Sequence, residues 1–300
     1  MNEISSIVIA FCEGPHDVAF LYRILRSDCY KLFNEKIELL PFPIKEFIKN
    51  GYKNIEKYEQ LKMDALKNSN IPNKILYKDN KIILLYAMGG DSETKDISKT
   101  KRIKLIEKLK VTRTNDEKSF NFQGDPFLDN QYKYSFLFFY DADNNAKLQL
   151  DKVNKYLSYL AKRKYYVSHN EIVSIDSESY GAFIFSKDGN IGNLENIMFE
   201  IIENEENSNI IKEAEEYLKF IDEKRYKNKI SIDYNNCIEK VKKKKSNTYY
   251  RKKSILGIMG QLQNSGASNI VTIEHSDYIK LNKNTVTKNI VELIDFFNKS

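Results

Sequence analysis

Four short runs in this chain are apolar almost without interruption: Ile7 to Cys12, Ile82 to Tyr86, Phe136 to Tyr140 and Tyr180 to Phe185. Runs of this kind read as strands buried on both faces, as in parallel sheets covered by helices. Between them the apolar positions change period. Val18, Leu21, Ile24 and Leu25 recur at helical spacing, as do Leu148, Leu150, Val153, Leu157 and Leu160 within a helix expected from Asn145 to Lys164. Further helices are expected over 98 to 110, 194 to 206, 210 to 224, around Ile255 to Leu262, and over 286 to 297. Ile37 to Phe42 and Ile270 to Ile273 read as additional strands, 34 to 80 as a helical, Lys-rich insertion, and 112 to 133 as a loop. Met88-Gly89-Gly90-Asp91 reads as a tight glycine turn after a strand. The alternation of strand and helix predicts an α/β fold, a mostly parallel sheet with helices on both faces. No repeat or long linker interrupts it, so 1–300 is read as a single elaborated domain.

Composition changes this picture little. A chain of 300 residues with 41% hydrophobic content can bury a large core. Three cysteines, Cys12, Cys29 and Cys237, without a CxxC spacing indicate neither a disulfide framework nor a zinc cluster. Neither a signal-peptide pattern nor a run near the roughly 18 apolar residues of a membrane span is visible, so the expected location is the cytoplasm. His16, His169 and His275 are isolated in the sequence and are read as structural or exposed rather than catalytic.

Candidate chemistry lies just beyond two of the apolar runs. The first leads into Glu13-Gly14-Pro15-His16-Asp17, the third into Asp141-Ala142-Asp143. Ligands of open α/β sheets bind at the carboxyl ends of the strands, which is where these acids fall. Clustered carboxylates raise one another's pKa, a conflict that a divalent cation resolves. Oxygen ligands without His or Cys point to Mg²⁺ or Mn²⁺. Taken singly, Asp17 also fits a cap on the first helix, and Asp143 a cap on the helix near Asn145.

Strand, Glu-Gly, helix, then strand and Asp-x-Asp resembles the Toprim domain of topoisomerases, bacterial primases, ribosomal RNA maturases and overcoming-lysogenization-defect nucleases. Phe11-Cys12-Glu13-Gly14-Pro15-His16-Asp17 is similar to the nuclease branch, and so is the Gly89-Gly90 turn. Gly192-Asn193-Leu194-Glu195 resembles that branch's glycine-x-leucine-glutamate segment. The resemblance implies a Toprim-like Rossmannoid fold and metal ligation by Glu13, Asp17, Asp141, Asp143 and Glu195. It further implies a lysine opening a late helix and facing the metals, with Lys253 as the local candidate and Lys252 as the alternative. Glu13 and Lys253 would then be the catalytic pair. The matches are short motifs within residues 7 to about 265, and the long stretch between Glu13 and Asp141 requires the insertion at 34 to 80.

Positive charge is concentrated in one segment. Lys240 to Lys253 holds eight Lys or Arg and no acid, while the whole chain carries +6, so the remainder is net negative. Lys242, Lys243, Lys244, Lys245, Arg251 and Lys252, with Tyr249 and Tyr250 among them, form a candidate nucleic-acid-binding stretch, because cations with aromatics hold unpaired nucleotides. A solvated loop is the competing reading. The function expected is a metal-dependent nuclease acting on DNA or RNA. What the resemblance adds is a role in antiviral defence, alone, as an oligomer or with a separately encoded ATPase, since no Walker A motif occurs here. A primase-like nucleotidyl transferase and a non-catalytic adaptor for nucleic acid or an ATPase are the alternatives.

Overall fold

In chain order the elements are β1 (Ser6–Cys12), α1 (Pro15–Ser27), β2 (Lys31–Leu32), α2 (Phe42–Tyr52), β3 (Lys74–Lys78), β4 (Lys81–Ala87), α3 (Lys101–Ser119), β5 (Lys133–Asp141), α4 (Ala146–Ala161), β6 (Glu171–Ile175) and β7 (Glu178–Phe185). Then come α5 (Leu194–Ile202), α6 (Ser208–Glu223), β8 (Asn228–Asp233), β9 (Ile238–Lys243), α7 (Tyr249–Gln263), α8 (Asn269–His275) and α9 (Lys288–Lys299). These are seen in a computed structural model that describes residues 4–52, 71–89, 96–119, 132–223, 228–233, 238–243, 249–281 and 287–300. By their internal contacts the residues fall into two units, Met1–Gly192 with Lys288–Ser300, and Asn193–Thr287.

The first unit is built on one sheet, ordered β2-β3-β4-β1-β5-β7-β6. β4, β1, β5 and β7 run parallel in its centre. The flanking pairs β2 with β3, β3 with β4 and β6 with β7 are antiparallel. The protein is therefore α/β, with a mixed sheet whose centre is parallel. After β1 the chain returns on one side as β4 and then crosses to the other as β5. The strand order thus reverses at β1, the place where such sheets open a crevice beyond their carboxyl ends.

Alternation along the central strands divides the core between two faces. Ile7, Ile9 and Phe11 of β1, with Phe136 and Phe138 of β5, are buried with Ile44 and Phe47 of α2, Ile103 and Ile106 of α3, and Val153 and Leu157 of α4. On the opposite face Phe139 meets Phe296 and Phe297 of α9 at ring separations of 5.9 and 5.4 Å, and Phe183 meets Phe296 at 5.6 Å. α1 packs beside α9 and against β4. Each such fully buried phenylalanine contributes about 1.5–3 kcal/mol relative to an exposed one. Burial on both faces is why these strands are apolar throughout.

Several expected elements differ. Ile37 to Phe42 is not a strand: Ile37–Leu39 forms a short 3₁₀ turn and α2 begins at Phe42. Pro41 and Pro43 explain this, since proline cannot donate to a ladder but fits a first helical turn. The stretch 34 to 80 is not wholly an insertion, because β3 pairs with β4 inside the sheet; residues 53–70 lie outside the described residues. α3 extends through Ser119 into the expected loop, and 120–131 lie outside the described residues.

The second unit contains α5 to α8 and the antiparallel hairpin of β8 and β9. Leu194, Met198, Ile202, Leu256, Met259 and Ile273 are fully buried. Ile270 to Ile273 is helical, not a strand. Ser268 caps α8 by accepting from the Val271 amide at 3.4 Å, and Thr272 Oγ1 donates to the Ser268 carbonyl at 3.1 Å. A β-carbon at Gly260 of α7 would overlap the Thr272 hydroxyl, so the two helices approach closely there. Cap and packing together override the strand preference of β-branched residues.

Candidate metal and phosphate site at the sheet edge

Glu13 is the first residue past β1, and Asp141 is the last residue of β5, the neighbouring parallel strand. The Asp141 amide donates to Glu13 Oε2 at 3.4 Å, so residues far apart in sequence meet where the strand order reverses. Gly14 then turns the chain in extended conformation and Pro15 opens α1. Asp17, buried in the first turn, accepts the Gly14 amide at 2.7 Å. Its carboxylate thus serves as a helix-start partner, the cap role weighed from the sequence.

Asp143 has φ of +50°, a left-handed conformation uncommon for a side-chain-bearing residue. Its backbone is fixed by a reciprocal pair with Gly192: the Asp143 amide donates at 2.7 Å and the Gly192 amide returns at 2.9 Å. The cap of α4 is Asn145, which accepts from Lys147 and Leu148 amides at 2.9 and 3.3 Å. Asp143 is therefore not the cap. Its Oδ2 instead accepts from Gln149 Nε2 at 3.5 Å.

Burial is the largest influence on Glu13 and pushes its carboxyl above the usual range. The Asp141 amide pulls it down, the Asp143 charge raises it, and Arg102 and Lys152 lower it. The Cys12 thiol is likewise pushed up by burial and by the Asp17 charge, against Arg102.

Arg102 has no solvent exposure. Its guanidinium lies within 3.5 Å of the Cys12 carbonyl and 3.4 Å of the Gly89 carbonyl, and 4.8 Å from the Tyr140 ring centroid. It ties the ends of β1 and β4 and supplies a fixed positive charge beside the carboxylates. No motif marks it in the sequence, but Arg102, Leu105, Ile106 and Leu109 stand at helical spacing with Arg102 in the apolar stripe. An arginine at such a position is a buried arginine. Gln149 and Lys152 carry no such sequence signal; only the fold brings them to the edge.

Glu195 and Lys253 belong to the second unit, where they pair with each other. Lys253 Nζ stands 3.2 Å from Oε1 of the buried Glu195. Asn269 Nδ2 holds the Lys253 carbonyl at 3.0 Å. Of the basic stretch, Arg251 donates to the Glu215 carbonyl at 3.2 Å and Lys252 lies 5.0 Å over the Phe199 ring. Lys242 and Lys243 end β9, where Lys242 is in register with Lys229. Tyr249 and Tyr250 open α7, and Lys244 and Lys245 lie outside the described residues. Among the described residues no three His, Cys, Asp or Glu side chains are grouped so as to hold a metal ion. No described helix is long and apolar enough to cross a membrane.

Fold and edge together define an α/β protein with a parallel-centred mixed sheet and carboxylates at its strand-order reversal. No protein-family model matches the chain, and no curated protein does. It is similar to a hypothetical protein of Pyrococcus horikoshii OT3 known from a crystal structure, at 13% identity and a TM-score of 0.44, over 99% of this chain and 95% of that one. A likeness of that size carries no inference.

Proposed function

We propose that this protein hydrolyses phosphodiester bonds of nucleic acid with a magnesium- or manganese-type ion held at the carboxyl edge of the sheet. The observation that carries this reading is the meeting of Glu13 and Asp141 across adjacent parallel strands, 3.4 Å from carboxylate oxygen to amide. The resemblance of the Glu13 and Asp141 motifs to the Toprim domain, and of Phe11 to Asp17 to its nuclease branch, points the same way. The chemistry of these acids suits such an ion: their oxygens are hard, and Glu13 carries a burial and repulsion penalty that a cation relieves.

When bound, the ion supplies an acidified water and charge neutralisation at phosphate. The remaining work falls to the chain. Glu13 is oriented by the Asp141 amide, Asp143 by Gln149, and Asp17 by the Gly14 amide. Arg102 fixes the strand ends from beneath. Glu195 and Lys253 enter by resemblance alone.

The decisive experiment incubates purified protein with plasmid, linear DNA and structured RNA in Mg²⁺, Mn²⁺ or EDTA, beside Glu13→Gln. Metal-dependent product that falls about a hundredfold or more in the variant is expected, the scale of losing one group that stabilises the transition state. Full activity in Glu13→Gln would remove the site from the reaction, and incorporation of added nucleotides would mark nucleotidyl transfer instead.

A further inference from the structure

Two cations of the first unit influence Glu13, and they differ in kind. Arg102 is enclosed and holds two backbone carbonyls. Lys152 is exposed on α4 and its ammonium stands 6.0 Å from the centroid of Tyr140, the residue before Asp141. Gln149, one turn earlier on the same helix, is buried and reaches the Asp143 carboxylate. Residues three apart share a helix face, so this face of α4 places an amide on one acid of the site and an ammonium beside the strand end that carries another. The electrostatic effect of Lys152 on Glu13 agrees with that placement.

We infer that Lys152 is a substrate-contacting residue that holds a phosphodiester of a nucleic-acid strand at the sheet edge. The inference rests on the hydrolytic reading for its substrate class. The argument is one of charge and access. A phosphate approaching the acids of the sheet edge must meet a positive group that can reach solvent, and lysine on its flexible stem does this as a point charge. The Tyr140 ring keeps the ammonium near the edge through a cation–π attraction while leaving its protons available.

The test uses the full chain. Binding of a labelled single-stranded oligodeoxynucleotide and of the matching oligoribonucleotide is measured by anisotropy over a salt series, with Mg²⁺ and separately with EDTA. Wild type is compared with Lys152→Gln, Lys152→Arg and Lys164→Gln. Lys164 is exposed past the end of α4 at Ala161, which itself lies about 14 Å along the helix from Lys152 at 1.5 Å per residue, and controls for net charge.

Lys152→Gln should bind more weakly and flatten the slope of log affinity against log salt by about 0.7, the value for one phosphate contact on a single strand. Lys152→Arg should restore it, and Lys164→Gln should match wild type. Where cleavage is measured, the Lys152→Gln loss should appear as a raised KM, with an unchanged thermal midpoint showing the fold intact. A wild type that binds but leaves the strand uncut overturns the hydrolytic reading while a flattened slope still supports the contact. A Lys152→Gln slope equal to wild type overturns the contact whatever the cleavage result, and a wild type that binds neither strand overturns both.

Discussion

Gly181 sits in β7 beneath α9, and the sheet has no room there for a side chain. A β-carbon would lie 2.7 and 2.9 Å from Phe296 ring atoms and 3.1 Å from the Glu171 carbonyl oxygen. Phe296 is itself wedged against Phe139 and Phe183, so its ring cannot swing away cheaply. Gly181→Ala is expected to cost about 1–3 kcal/mol, the range for overpacking a filled core, seen as a lower urea midpoint at unchanged slope. His169 offers a residue-scale pH prediction. Its Nδ1 accepts the Ile184 amide at 3.0 Å, its ring lies 4.7 Å from that of Phe183, and partial desolvation of the ring, on a residue otherwise exposed, lowers its pKa. The unfolded imidazole takes a proton near its ordinary value of about 6.5, whereas the folded one resists protonation to lower pH. The stability is therefore fully present above that value and declines as pH falls through it towards the folded pKa. Thermal midpoints measured downward from neutral pH should fall more steeply in wild type than in His169→Asn; equal slopes would show that this ring is not the cause.

At the scale of elements, Lys81 fastens α9 to the sheet. Its ammonium, at the start of β4, donates to the Phe297 carbonyl at 2.6 Å and the Asn298 carbonyl at 3.5 Å. A cation there satisfies orphan carbonyls and meets the negative end of the helix dipole. Lys81→Met should cost about 1–2 kcal/mol and raise amide exchange at the end of α9 before that of β1; uniform protection across both would count against a local clamp. Which elements the sequence reveals follows from their burial. β1, β4, β5 and β7 are continuous apolar runs because both their faces are covered, and each is readable from pattern alone. β2, β3 and β6 lie towards the sheet edges, are mostly half-buried, and lack such a run, so their sequences resemble loop or helix. Ile270 to Ile273 misleads in the opposite sense, since the Ser268 cap and the space left by Gly260 are tertiary facts. The site follows the same division. Glu13 and Asp141 are legible because they terminate legible strands, whereas Gln149 and Lys152 gain their roles only once α4 folds back over β5. Arg102 lies between these cases: its stripe position is written in the sequence, its two carbonyl partners are not.

For the whole molecule, the acidic edge sets a conflict between folding and function that one calorimetric comparison resolves. The chain carries +6 overall, yet eight of its cations fall in 240 to 253 and none of those belongs to the first unit. Within the first unit Arg102 and Lys152 lower the Glu13 carboxyl, and burial still leaves it raised. A carboxyl whose folded pKa exceeds its unfolded value favours the fold fully below the unfolded pKa, and that contribution is lost as pH rises through the folded pKa. At neutral pH without divalent ion, Glu13 is thus a burden, and Glu13→Gln should melt at or above the wild-type temperature. A bound ion reverses the order. Selective binding to the folded state adds about 2.7 kcal/mol at a free concentration one hundred times Kd, a rise of several degrees for a unit of this size at about 2–4 °C per kcal/mol. Scanning calorimetry in EDTA, Mg²⁺ and Mn²⁺ should therefore show wild type rising with either ion and Glu13→Gln remaining where it was. An equal rise in both proteins would place the ion elsewhere, and no rise in wild type would deprive the sheet edge of its metal while leaving the fold untouched.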